Sequence, residues 1–331
     1  LDGEPDRAAG MHVRDGGRVR AACAPVHRGA RFSMPVPAFL AFPMSRYRFS
    51  LALAQPVSTL LTEFGCPMSC AFCVMPRLGF KYRDTENVLE EMRVLADMGV
   101  RDLFIADQCF GSCWSRTQDL LEKMIEQEIG LGFTCMTRAD ILLPERAELM
   151  RRAGGHTVLI GVESASDTVL AAMRKGLDTA CIVRGFDAAR RAGLRTVATF
   201  LLGLPGETRR DCRNTVEFAL RLDPDFASFN IPAPKFATAL HAVLQEQNPP
   251  GGHGGGMDYM DHTGARPFLG NGILSARDLY RIRKWAVRRF YFRPMYIARR
   301  LLRLNNMREL MSVIRAGLTV ARNALPFPLV K

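Results

Sequence analysis

Long apolar runs are missing from this chain of 331 residues: nowhere do roughly 18 consecutive apolar residues occur, so no transmembrane helix is expected. The first 35 residues are polar and rich in Arg and Gly, without the apolar stretch of a secretory signal. A disulfide framework is missing too. Of nine cysteines, three crowd one short stretch, while Cys23, Cys109, Cys113, Cys135, Cys181 and Cys212 are scattered without paired spacing. Such thiols suit packing in a cytoplasmic protein. Cys109 and Cys113 also follow a strand end from which they could approach an active site. Acidic residues are scarce in one place: Arg277–Arg322 carries 13 Lys+Arg against 2 Asp+Glu, and the whole chain is at +12. The basicity therefore belongs to the C-terminal part, as a solvated helix face or as an arm for RNA, anionic lipid or a docking partner. With 48% hydrophobic and 24% charged residues, the composition is that of a globular protein with one large domain, or a core domain and an extension.

What stands out is Phe64-Gly65-Cys66-Pro67-Met68-Ser69-Cys70-Ala71-Phe72-Cys73, directly after the strand-like run 57–64. Three thiolates at C-x3-C-x2-C spacing in one tight loop suit iron–sulfur or zinc chemistry. Structural zinc sites and electron-transfer clusters ordinarily take four protein ligands. Three cysteines on a cubane leave one iron open to a small molecule. Gly65 and Pro67 are placed to shape the turn.

Cys66, Cys70 and Cys73, with Phe72 before the last of them, resemble the signature of the radical S-adenosylmethionine (radical SAM) superfamily. The resemblance covers roughly residues 10–323 and is most specific in 57–236. It implies a [4Fe-4S] cluster whose open iron chelates S-adenosylmethionine and cleaves it to a 5′-deoxyadenosyl radical. Residues 1–50, with the Pro-containing connector 34–39, resemble the linker that joins a cobalamin domain to the barrel in cobalamin-binding members. The cobalamin domain itself is expected to be missing, because no Asp-x-His-x-x-Gly ligand loop occurs. The start at Leu1 suggests a piece of a longer product.

From 57 to about 236, apolar segments of strand length (57–64, 102–107, 132–137, 156–164, 195–204, 226–234) alternate with segments of helical period (84–98, 115–129, 144–153, 178–192, 207–221). Asp84 and Ser166-Asp167 look like helix starts, and a short hairpin with an Asp-Gly-Gly turn is read at 10–19. Six strands with five intervening helices make a parallel α/β sheet. Periodicity does not separate an open sheet from a barrel; the resemblance implies a partial (β/α)6 TIM-like barrel, with function at the C-terminal strand ends. The expected domains are a linker at 1–50, the core barrel at 51–240, and at 241–331 a flexible Gly/Pro stretch followed by a basic α-helical extension interrupted at Pro294 and started by Ser275.

The resemblance also implies roles at the strand ends. Asp107, in Asp107-Gln108-Cys109-Phe110, would receive the methionine amino group, with capping of the next loop as the rival role, though Gln108 replaces a second acid. Arg138 could hold a carboxylate of cofactor or substrate, or pair with Asp140 or Glu163. Glu163 and Ser164 would meet ribose or methionine, with helix capping as the rival role for Ser164. Gly203, in Gly203-Leu204-Pro205-Gly206-Glu207-Thr208, would let backbone approach the adenine, while Glu207 and Thr208 would begin the next helix. Ala237 departs from the relatives' Gly. The aromatic run near Phe290 resembles cobalamin-type members and reads physically as packing.

The function these features imply is radical SAM chemistry on an unidentified small-molecule substrate: methylation if cobalamin is supplied, oxidation or cyclisation if it is not. An electron donor such as ferredoxin or flavodoxin is required. A membrane surface is kept as a partner of the basic helices, and nucleic acid is disfavoured. The rivals are an RNA-modifying methylthiotransferase relative and a cluster-binding remnant without turnover.

Overall fold

The computed structural model describes residues 12–15, 18–21, 30–233, 235, 238–247 and 270–302. Strands β1 (His12–Asp15) and β2 (Arg18–Ala21) form the antiparallel hairpin expected from the Asp-Gly-Gly signal, with Asp15 opposite Arg18. Strand β3 (Ala30–Phe32) follows.

The run expected as one strand at 57–64 is two. β4 (Val57–Leu60) belongs to the main sheet, whereas β5 (Glu63–Gly65) leaves it to pair antiparallel with β6 (Phe80–Arg83). β6 also pairs parallel with β3, which makes a small three-stranded sheet beside the barrel. Apolar Leu60 and Leu61 stand before the break and Phe64 after it, and no Gly or Pro marks it between them.

Helix α1 (Thr85–Asp97) then leads to β7 (Asp102–Ile105), α2 (Trp114–Glu126) to β8 (Gly132–Thr137), and α3 (Pro144–Arg152) to β9 (Gly155–Glu163). After β9 come the short α4 (Asp167–Ala172), α5 (Thr179–Arg191), β10 (Arg195–Leu201), α6 (Arg209–Leu222) and β11 (Phe226–Asn230). Each long helix buries one stripe: Val88, Leu89, Met92 and Leu95 on α1, and Thr117, Leu120, Leu121 and Met124 on α2. The capping expectations divide. Ser166 accepts from Val169 N at the start of α4, but the Asp84 carboxylate does not cap α1. It accepts instead from Ser33 Oγ at 3.0 Å, which ties the start of α1 to the segment just after β3.

The main sheet has the order β11-β10-β9-β8-β7-β4, every neighbouring pair parallel. Because β4 and β11 both lie at the edges, the six strands form a curved sheet open on one side, the partial (β/α)6 barrel expected. All carboxyl ends lie on one face.

The described part of the basic C-terminal segment, up to Leu302, is not a detached arm. α8 (Ala276–Tyr291), capped by Ser275 accepting from Asp278 N, buries Leu279, Ile282, Ala286 and Phe290. Tyr291 Oη accepts from Ala227 N at 3.1 Å and donates to Ala227 O at 2.7 Å, so it satisfies the open edge of β11. The Phe290 ring meets Phe229 edge-on at 6.1 Å. Thus the aromatic run packs, as its physical reading held. α9 (Pro294–Leu302) restarts at Pro294, and α7 (Ala239–Gln247) precedes the Gly/Pro stretch. That stretch, 249–256, and Ala237 lie outside the described residues.

Candidate functional site

The chain reaches the cysteine loop through a clamped turn. After β4 it bends at Leu61-Thr62, and Asp107, at the end of β7, holds the bend. Its Oδ1 accepts from Thr62 N at 2.7 Å and Glu63 N at 3.0 Å, and Oδ2 accepts from Thr62 Oγ1. Asp107 is wholly buried. With both oxygens engaged, this buried carboxylate supports the loop.

Gly65 then takes φ +79°, and a Cβ there would stand 1.8 Å from Gly79 O, so only glycine lets β5 pass this close. Cys66, Cys70 and Cys73 follow, all free and half-buried. Their loop is pinned from two sides: Ala71 N donates to Met173 O at 2.9 Å, and Ala71 O accepts from Leu240 N at 3.0 Å. Met75 N lies 3.4 Å from Cys73 Sγ as a donor.

Around the loop stand two cations. Arg138, at the end of β8, donates from Nε and Nη2 to Asp140, both at 2.9 Å, so the pairing with Asp140 is the one formed. Its Nη1 reaches the Lys175 carbonyl at 2.7 Å. Lys175, in the turn after α4, is buried and donates from Nζ to Glu163 Oε1 at 2.9 Å. Nζ also lies 5.9 Å from the ring centre of Phe72, inside the cysteine motif. Room for the pair comes from Gly161 on β9, where a Cβ would stand 2.5 Å from Glu163 Oε1 and 2.8 Å from Lys175 Nζ. Glu163 itself sits at φ +68°, a strained position for a residue with a side chain.

The thiols of the loop are not equivalent. A hydrogen bond with Cys109 brings Cys66 down to about 6, against burial and with help from Arg138 and Lys175. Burial pushes Cys70 up, opposed by the same two cations. Three thiolates so close together need compensating positive charge, and Arg138 and Lys175 supply it. Among the described residues, no three His, Cys, Asp or Glu side chains converge on a single ion. A cubane does not ask them to, because each of its cysteines holds a different iron. The donor set therefore fits a [4Fe-4S] cluster.

Two expected contacts are spent inside the protein. Ser164 is wholly buried, and its Oγ donates to Glu207 Oε1 at 2.9 Å. Glu207 Oε2 accepts from Gly203 N and Leu204 N, both at 2.9 Å. Gly203 has φ +91°, with its Cβ position 2.3 Å from Leu279 Cδ2 of α8, so the packing of α8 requires glycine here. Thr208 does begin α6, in a capping box with Asp211.

Cys66, Cys70, Cys73, Arg138 and Glu163 are thus gathered on one face, while Asp107, Ser164 and Gly203 brace it from within. Sequence reasoning missed Lys175, whose setting Met173-Arg174-Lys175-Gly176 matches no motif, and missed the depth at which Glu63 and Glu207 are buried. Glu63, with Ser112 Oγ donating to it at 2.7 Å, is pushed up to about 8 by burial.

An open parallel α/β barrel with a three-cysteine loop on its carboxyl face defines the class. Residues 62–219 match the family described as the Radical SAM superfamily, and this part of the chain is a radical SAM domain. The chain is 26% identical over 272 residues to an uncharacterized methyltransferase of Pyrococcus horikoshii, covering 79% of the chain and 56% of that protein. It is 29% identical over 175 residues to the anaerobic magnesium-protoporphyrin IX monomethyl ester cyclase of Rubrivivax gelatinosus, covering 51% of the chain and 32% of that protein. Of solved structures, the cobalamin-dependent S-adenosylmethionine radical enzyme OxsB superposes with a TM-score of 0.64 at 17% identity, over 97% of the chain and 52% of OxsB, a likeness of fold. The chain spans about half the length of the first of these relatives, or less of the others.

Proposed function

We propose that the protein is a radical SAM enzyme of the cobalamin-associated type, acting on a small-molecule substrate. The single observation that carries this is the pinned Cys66–Cys73 loop lying beside Arg138 and the Glu163–Lys175 pair at the carboxyl ends of the barrel strands. When bound, a [4Fe-4S] cluster with S-adenosylmethionine supplies reductive cleavage of the sulfonium and a 5′-deoxyadenosyl radical for hydrogen abstraction.

The chain's own residues do the rest. Cys66, Cys70 and Cys73 would each hold one iron of the cluster. Arg138 and Lys175 offset the thiolate charge and present donors to a carboxylate. Glu163, of which only Oε1 has a partner among the described residues, offers its second oxygen to an ammonium or a ribose hydroxyl. Methylation, if cobalamin is supplied, or oxidation or cyclisation, if it is not, completes the reaction. A low-potential carrier such as ferredoxin or flavodoxin supplies the electron, and the cytoplasm, where thiols stay reduced, is the compartment.

No helix among the described residues is long and apolar enough to cross a membrane. α9 does expose Met295 and Leu302, at 69% and 85%, within the basic C-terminal segment, which supports peripheral contact with an anionic bilayer. Co-sedimentation with anionic vesicles checks that contact.

The test is anaerobic iron and sulfide reconstitution, then measurement of 5′-deoxyadenosine formed from S-adenosylmethionine and dithionite. Wild type should hold about four irons and form the product, and Cys70→Ala should lose both. A wild type that takes up no cluster rejects the proposal. A loaded cluster without cleavage favours the remnant without turnover. Salt-sensitive RNA binding would favour the methylthiotransferase relative.

A further inference from the structure

Strands β5 and β6 are the two legs of one excursion from the barrel, and residues 66–79 between them carry the three cysteines. Toward the barrel this excursion is closed: Ala71 packs with Met173 and Leu204, and Phe72 and Leu201 pack against them. Elsewhere it is open. In β5, Glu63 and Gly65 are buried, so Phe64 between them points outward and is 43% exposed. Lys81 of β6 stands opposite Phe64 in register and shares its face. Tyr82 points to the other face, where the Arg116 guanidinium of α2 lies 4.0 Å over its ring. The short 3-10 turn Met75–Leu78 ends on exposed Arg77 and on Leu78, which is 40% exposed. Phe64 and Leu78 each adjoin the close approach of Gly65 to Gly79.

The charges of this open part are of one sign. Neither the Arg77 nor the Lys81 side chain has an ion pair or hydrogen bond among the described residues. No Asp or Glu occurs from Phe64 to Arg83. Asp84, next in the chain, already accepts from Ser33 and lies 3.8 Å from Arg31. An electron bound for iron on Cys66, Cys70 and Cys73 has to enter close to them, because transfer through protein slows steeply with distance. Phe64 lies two residues before Cys66. Met75 N, at the head of the turn that ends in Arg77 and Leu78, donates to Cys73 Sγ at 3.4 Å. Electron-transfer partners meet through small interfaces, on the order of 1,200 Å² or less, and complementary charge speeds their encounter. A small face of exposed apolar and free basic side chains beside the ligands suits an acidic carrier.

We propose that Phe64, Arg77, Leu78 and Lys81 form the docking face for a small, acidic, low-potential one-electron carrier. The reduced carrier is oxidised by one electron, and the cluster, which receives it, becomes more negative by one charge; no bond of the protein forms or breaks. The inference rests on the reading of Cys66, Cys70 and Cys73 as cluster ligands, and it adds to that reading the place where the electron enters.

The test is anaerobic stopped-flow reduction of the reconstituted protein by reduced flavodoxin, followed as bleaching of the cluster at low and at high salt. Dithionite serves beside it as a small reductant that needs no docking face. Reduction of wild type by flavodoxin should slow as salt rises. Arg77→Glu/Lys81→Glu should lose about tenfold in rate at low salt, the lower end of what electrostatic steering supplies, together with most of the salt dependence. Its rate with dithionite should stay at the wild-type value. Arg77→Gln/Lys81→Gln, the milder pair, should fall between the two. Phe64→Ser should weaken the binding of oxidised flavodoxin, read by flavin fluorescence without turnover, and keep the salt dependence. Equal flavodoxin rates and equal salt dependence in wild type and Arg77→Glu/Lys81→Glu overturn the inference and leave the ligand assignment intact. A matching loss with dithionite overturns it as well, by placing the effect at the cluster. So does a variant that loses affinity for RNA and keeps its flavodoxin rate, which would make this a nucleic-acid face. Failure of wild type to take up a cluster overturns the ligand assignment first, and the inference with it.

Discussion

The two ends of the barrel each bury an ionic network, and they differ in how completely it is satisfied. At the amino end, Asp102 accepts from Leu53 N at 2.6 Å and Ala54 N at 3.1 Å, and both its oxygens lie within 3.1 Å of His156 Nε2. Arg195 donates to Leu51 O at 2.6 Å and Thr157 Oγ1 at 3.0 Å, while Thr157 Oγ1 also meets His156 Nδ1 at 2.8 Å. The partners there close on one another and fasten the incoming segment 51–54 to the sheet. At the carboxyl end, Glu163 uses one oxygen and Lys175 one hydrogen bond, and the thiols beside them are half-buried. A saturated network is a fastening; a partly saturated one beside a loop of nucleophilic sulfurs is a site. Burial of charge by itself does not tell the two apart.

That contrast can be broken by substitution. The largest effect is expected from Lys175→Met, which leaves Glu163 buried without its cation: about 3–5 kcal/mol of stability should go. Urea unfolding measures it, and iron content per folded molecule should fall as well. Asp102→Ala at the other end should cost about 2–3 kcal/mol by stranding two backbone donors and His156. Iron content per folded molecule should stay at the wild-type value, and a fall there would erase the distinction between the ends.

Glu63→Gln sharpens the comparison through pH. The Glu63 carboxyl rises from 4.5 to about 8, chiefly through burial. The folded protein therefore holds a proton that the unfolded chain has released, and stability falls as pH rises from about 4.5 to about 8. The slope for one proton is at most about 1.4 kcal/mol per pH unit. Glutamine keeps the acceptor for Ser112 and removes the titration, so urea midpoints of Glu63→Gln should vary less across this window. A slope as steep as wild type would assign the pH dependence to other groups. The smallest effect is expected from Arg209→Ala, which removes the exposed 2.7 Å pair between α6 and Asp278 of α8. Its melting curve should overlay that of wild type.

How much of this was legible depends on distance along the chain. The strands β8, β9 and β10 and helices α1, α3 and α5 could be read within a residue or so at their starts, because period and caps are local. The cysteine loop was legible for the same reason: its ligands lie within eight residues. The split of 57–64 into β4 and β5 was not, since its cause is Asp107, some 45 residues on. Ser164 carried a polar side chain at a strand end, and nothing nearby in sequence disclosed that Glu207 would take its hydroxyl. Lys175 reads as a surface residue until α4 turns it back over β9.

The sequence by itself determined the alternation that makes a parallel α/β sheet and the triad Cys66, Cys70 and Cys73, because both depend on spacing that covalent geometry preserves in any compact state. Tertiary structure decided which charged groups surround that triad. Lys175 beside Glu163, Cys109 against Cys66 and Asp107 beneath Thr62 are meetings between strand-end loops, and only the order and register of six parallel strands bring those loops together on one face.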